Sequence, residues 1–80
     1  MNDAEIVTRV GELSEEEHRL QRSHEGEPLG GDEQERLRSL EVALDQCWDL
    51  LRQRRARRDA GQDPDEAGVR PEGTVEGYRQ

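Results

Sequence analysis

Between Leu37 and Leu51 apolar side chains recur at three- and four-residue steps: Leu37, Leu40, Leu44, Cys47, Trp48 and Leu51. On a helix that turns about 100° per residue these fall within an arc of about 100°, the face an amphipathic helix buries. Ala43 and Leu50 widen the arc on one side. An arc this broad exceeds the seam of a two-stranded coiled coil, so the pattern predicts a helix that touches more than one neighbour. Glu41, Asp45, Asp49 and Arg52 lie toward the other flank and are expected to face water.

A second stripe runs through Ile6, Val10, Leu13, Glu17, Leu20 and His24 at alternating steps of four and three, and predicts a first helix. Asn2 or Asp3 is placed to cap it, with Glu5 in its opening turn. Gly26, Pro28, Gly30 and Gly31 crowd the segment after it and end the helical ladder. Asp32 with Glu35 resembles a capping box for the second helix, and Gly61, just past Arg57 and Arg58, marks its end. The expected organisation is a helical hairpin over residues 1–61, with helices at about 3–25 and 33–60 joined by a loop over 26–32. A connection this short favours antiparallel neighbours. Aligning the two stripes places Leu20 near Leu37 and Leu40, Leu13 near Leu44, Val10 near Cys47 or Trp48, and Ile6 near Leu51. Residues 62–80 have no helical period and hold two of the three prolines, which predicts a flexible acidic tail with Val69, Val75 and Tyr78 as its anchors.

Composition sharpens this picture in one respect. The 80-residue chain is 29% hydrophobic and 40% charged, lacks phenylalanine and carries a net charge of -8. Its candidate core, Val7 and Leu20 included, is small for one domain, and self-association is the cheapest further source of burial. The fold class that follows is all-α: an antiparallel two-helix hairpin with a flexible C-terminal tail, dimerising into a four-helix bundle through the face made by Leu37, Leu40, Leu44, Cys47, Trp48 and Leu51.

Charge is distributed unevenly. Residues 1–35 hold eleven acids and three arginines, residues 36–58 three acids and seven arginines, and residues 59–80 six acids and two arginines. Only the middle segment is basic. Its sharpest feature is the run RQRRARR, with Arg52, Arg54, Arg55, Arg57 and Arg58 as candidate interaction residues. Five guanidiniums in seven residues suit phosphates on DNA or RNA. They suit equally a helix end that complements its own dipole and pairs with nearby acids, and the acidic flanks favour pairing within the chain or between subunits over a polyanion.

Other chemistry is thin. Glu15 and His18 form an E-x-x-H pair of the kind that binds two metals in four-helix bundles, yet they point away from the apolar stripe. Glu17 and His24 lie in the stripe, where a polar residue that sets register is the simpler reading. Cys47 at the centre of an apolar face behaves as a small hydrophobe, and a single cysteine forms no disulfide within the chain. With no phosphate loop, no thiol pair and no supported nucleophile–base arrangement, the expectation is a non-enzymatic protein with no cofactor and no metal. No stretch approaches the length of apolar residues a membrane span requires, and the start MNDAEIVTRV lacks the basic and apolar regions of a leader, so a cytoplasmic protein with no membrane partner is expected.

The segment LDQCWDLLRQRRARRDAG, preceded by EEEHRL and followed by DPDEAGVRPEGTVEGY, resembles a family of short actinobacterial proteins of unknown function, domain of unknown function 2630. The resemblance covers nearly the whole chain and is most specific from Leu44 to Pro71. It implies a small, stand-alone, cytoplasmic helical protein and brings no activity, ligand or catalytic residue. The functional expectation is therefore a protein–protein interaction or adaptor module whose arginine-rich end and tail meet an acidic protein surface or a partner subunit in a homodimer. The alternative is a nucleic-acid-associated helical protein using Arg52 to Arg58.

Overall fold

The computed structural model describes residues 1–23 and 26–75, and these form two long helices with a folded-back C-terminal segment. Helix α1 spans Asp3–Arg22 and α2 spans Gly31–Asp59. A single 3-10 turn, Pro64–Glu66, and a four-residue helix α3, Glu72–Val75, follow. No strand occurs among the described residues. The all-helical antiparallel hairpin expected from the two stripes is present.

The start of α1 follows directly from its sequence. Asn2 is the N-cap: its side chain accepts from the Glu5 backbone N–H at 2.8 Å, and the Glu5 carboxylate accepts from the Asn2 N–H at 2.8 Å. This reciprocal box satisfies two amides that would otherwise lack partners. It also leaves the neighbouring Asp3 carboxylate to serve elsewhere.

Helix α2 begins two residues before the expected start. Gly30, in extended backbone, is the N-cap; its N–H is taken by Glu33 Oε1 at 3.3 Å, and Gln34 Nε2 donates to the Leu29 carbonyl at 3.0 Å. Those side chains draw Gly31 and Asp32 into the first turn, where Asp32 meets the positive end of the helix dipole instead of acting as the cap. At the far end the glycine expectation holds. Gly61 adopts φ +73°, the Gln62 N–H returns to the Arg57 carbonyl at 2.7 Å and the Gly61 N–H to that of Arg58 at 3.1 Å, the paired bonds of a Schellman motif.

The buried apolar side chains are Ile6, Val10 and Leu13 of α1 and Leu40 and Leu50 of α2. Leu20 is half-buried and Val7, one step off the stripe, is 57% exposed. Ion pairs at both ends fit the antiparallel arrangement: Asp3 at the start of α1 meets Arg54 near the end of α2, and Glu16 meets Arg36 toward the loop. Of the six residues expected on the core and dimer face, only Leu40 is fully buried; Leu37, Leu44, Cys47, Trp48 and Leu51 are half-buried, and Leu50 takes the covered place instead. The α1-facing side of α2 is thus rotated away from Trp48 and toward Leu50 and Arg54.

Two expectations are corrected by the segment after Gly61. Residues 62–75, expected as a flexible tail, lie back along α2 and contact it through both the 3-10 turn and α3. Val69, an expected anchor, is 66% exposed, and Arg70 beside it makes the attachment. Composition favours an open tail, but it takes no account of the hydrogen-bonding side chains waiting on α2. The Val75 side chain and Tyr78 lie outside the described residues, as does His24.

Candidate interaction surface

Helix α2 presents three longitudinal faces, and each meets something different. With Leu37 set at zero and about 100° per residue, the side toward α1 centres near about 270°, on Leu40, Cys47, Leu50 and Arg54. A polar ladder of Gln46, Asp49, Gln53 and Arg57 occupies about 120–200° and receives the folded-back segment. The third face, at about 320–60°, carries Leu37, Glu41, Leu44, Trp48, Leu51 and Arg55.

The ladder is centred on Asp49, which was expected to face water and is instead fully buried, with 0% exposure. Arg70 reaches back to it with two parallel hydrogen bonds, Nε to Oδ2 at 2.8 Å and Nη2 to Oδ1. Gln53 Nε2 donates to the same carboxylate at 2.9 Å and to the Gly68 carbonyl at 2.7 Å, while Gln46 Nε2 donates to the Arg70 carbonyl at 3.3 Å. A carboxylate out of water is tolerated only with this kind of paired, multiply bonded compensation. Farther along, Arg38 meets Glu72 of α3 at 2.6 Å.

The arginine run divides by direction. Arg54, 6% exposed, points to the junction of three chain segments. Its Nε donates to Asp3 Oδ1, and its Nη1 donates to Asp65 Oδ1 at 2.9 Å and to the Pro64 carbonyl at 3.2 Å. Arg58 also reaches Asp3, at 3.0 Å, and Arg57 lies 3.6 Å from Glu66. Hydrogen bonds from Arg54 and then Arg58 hold the Asp3 carboxyl below its ordinary value of 3.8. The bonds to Asp3 and Asp65 raise Arg54 in turn. Three of the five candidate arginines thus tie the N-terminus, α2 and the folded-back segment together. In the sequence Asp3 was read as a possible cap, and Asp65 and Arg70 were not singled out; the signal for the last two is the polar spacing of residues 46, 49, 53 and 57.

Arg52 and Arg55, both exposed, join Trp48, Leu51, Ala56 and Asp59 around one open groove on the third face. Neither α1 nor the folded-back segment covers it. Cys47 borders the covered side, and partial burial raises its thiol pKa despite the opposing effect of Arg9. Glu15 and His18 are exposed on α1, as their angle predicted, and Glu17 is half-buried. No helix among the described residues is long and apolar enough to cross a membrane.

A family model matches this arrangement across almost its full length. The model is that of "Protein of unknown function (DUF2630)", and it aligns with residues 2–80. The chain belongs to this family. Uncharacterised proteins of Mycobacterium bovis and Mycobacterium tuberculosis are each 49% identical to it over 77 residues, a span covering 95% of this chain and 88% of each relative. No solved structure gives a significant match. The helices, the arginine run and the Asp3, Asp49 and Arg70 attachments described above all fall inside the matched span.

Proposed function

We propose that this DUF2630 protein is a non-enzymatic interaction module that works in the cytoplasm by seating a protein helix on the open face of α2. The observation that carries this reading is the open groove where Trp48, Leu51 and Ala56 lie beside Arg52, Arg55 and Asp59. A tryptophan beside arginines is the composition that dominates binding energy at protein interfaces. The surroundings set the chemistry of the occupant: an apolar helix face carrying carboxylates at its edge. A lone, half-buried thiol suits a reducing compartment.

Nucleic acid fits less well. Arg54, Arg57 and Arg58 face carboxylates of their own chain, so the phosphate-gripping cluster suggested by the run is reduced to a short exposed edge on a protein of net charge -8. Replacing Ala56 with a photo-cross-linking residue tests the two readings in one experiment. Protein adducts that diminish with Trp48→Ala and with Arg55→Glu are expected. Adducts to nucleic acid, together with retention on DNA or RNA that falls steeply as salt rises, would overturn the reading in favour of the alternative. Absence of any adduct would reject both.

A further inference from the structure

Building on that interaction surface, we infer that the helix seated on it is the α2 of a second copy of this chain, antiparallel, with Trp48 on the two-fold axis.

The face is self-complementary about Trp48. Leu44 lies four residues before it and Leu51 three residues after, so a reversed copy sets each leucine beside the other across the axis. Glu41 lies seven residues before Trp48 and Arg55 seven after, both at nearly the same angle as Trp48 and both exposed. Reversal therefore places Glu41 against the Arg55 of the other copy, twice. A parallel copy would set Glu41 against Glu41 and Arg55 against Arg55, like charges in contact, which selects the antiparallel arrangement. An interface that repeats itself through a two-fold axis is the commonest form of protein self-association.

Burial supports the same occupant. The described core of the single chain is five apolar side chains, Trp48 and Leu51 stay only half-buried with α1 in place, and Val7 of α1 is itself exposed. A seven-residue spacing carried by Leu37, Leu44 and Leu51 on the uncovered side is the repeat by which helices pack along one another. The result is a four-helix assembly in which each α2 contacts its own α1 on one side and the other α2 on the next.

Light scattering of the full chain, with Trp48 fluorescence followed on dilution, tests this. The expected mass is twice 9.2 kDa, with Trp48 emission shifting to the red as dilution separates the copies. Glu41→Arg and Arg55→Glu should each weaken association about tenfold or more, with the helical circular dichroism unchanged because both positions are exposed. The double variant should restore it. Residues 41 and 55 are about 21 Å apart along one helix, too far to pair within a chain, and in a parallel dimer the double variant leaves like charges opposed, so rescue reports the antiparallel contact alone. A folded monomer at about 100 µM, or a dimer indifferent to both single changes, or failure of the double variant to rescue, would overturn the inference. A monomer that still forms Trp48-dependent adducts from position 56 would do so while leaving the interaction module standing; loss of all adducts would remove both.

Discussion

The two covered sides of α2 are held by different forces. Toward α1 the contact is apolar, made by Ile6, Val10, Leu13, Leu40 and Leu50 and closed at one end by the Arg54–Asp3 pair. Toward the folded-back segment it is anchored by polar bonds: Asp49 with Arg70, Gln53 with Gly68, Gln46 with Arg70, Arg38 with Glu72. Apolar burial is non-directional and not screened by salt, whereas charge-assisted bonds fix one register and weaken when a partner is protonated or removed. The hairpin is thus specified by a hydrophobic pattern and the segment 62–75 by individual side chains. The two should therefore be separable by mutation.

The largest effect is expected on the apolar side. Leu40 is 1% exposed, and Leu40→Ala removes three carbons from a core that, among the described residues, has only five buried apolar side chains. Such truncations cost about 3 kcal/mol, a large share of the total stability of a domain this small. The urea midpoint followed by far-ultraviolet circular dichroism should fall sharply and both helices should melt together. Retention of most of the helical signal with only the C-terminal segment released would show that the apolar contact is not what holds the hairpin.

Arg70→Ala should act on the other side alone. It leaves the Asp49 carboxylate buried with less compensation, a cost of about 2 kcal/mol once the 43% exposure of the Arg70 side chain is allowed for. Hydrogen exchange should speed up at amides of residues 62–72 while those of α1 stay protected. The second change, Asp49→Ala in the same chain, removes the stranded charge and should recover about 1 kcal/mol, so the double variant is more stable than Arg70→Ala alone. Equal stability of the single and double variants would mean that Asp49 does not depend on Arg70.

These two sides were unequally legible in the sequence. The hairpin was readable because its determinants are local: the Asn2–Glu5 box, the stripes at three- and four-residue steps, and Gly61 at the end of α2. The start of α2 was displaced because Glu33 and Gln34 reach back past Asp32 to Gly30 and Leu29, a competition between two plausible caps. Asp49 was misplaced because its angle on an isolated helix points to solvent; what buries it is an arginine 21 residues later. The arginine run announced that it needed nearby acids, but which ones was set by the fold. The sequence does not weigh Val69 against Arg70 as the anchor, since hydrophobicity favours the first and only the Asp49 carboxylate favours the second. The breadth of the apolar arc predicted more than one neighbour for α2, and the half-buried Leu37, Leu44, Trp48 and Leu51 are what remains of that arc once α1 is in place.

The smallest effect, and the one that joins the two sides, is acid sensitivity at Asp3. Its carboxylate accepts from Arg54 and Arg58 while Arg54 also holds Asp65 and the Pro64 carbonyl, so Asp3 ties α1 to the same guanidinium that ties the folded-back segment. Because the folded-state pKa lies below the ordinary 3.8, the stabilisation is fully present above about pH 4 and is lost as pH falls through the depressed value. The melting temperature attributable to this contact should therefore be flat from neutral pH down to about 4 and decline below it. Asp3→Asn keeps the helix start, since Asn2 and Glu5 make the cap, yet removes the titrating group. Its melting temperature should be lower than that of the parent at neutral pH and should approach it in acid. Parallel curves for the two proteins across this range would show that Arg54 draws nothing from the charge of Asp3, and would leave α1 and the folded-back segment joined only through the apolar side of α2.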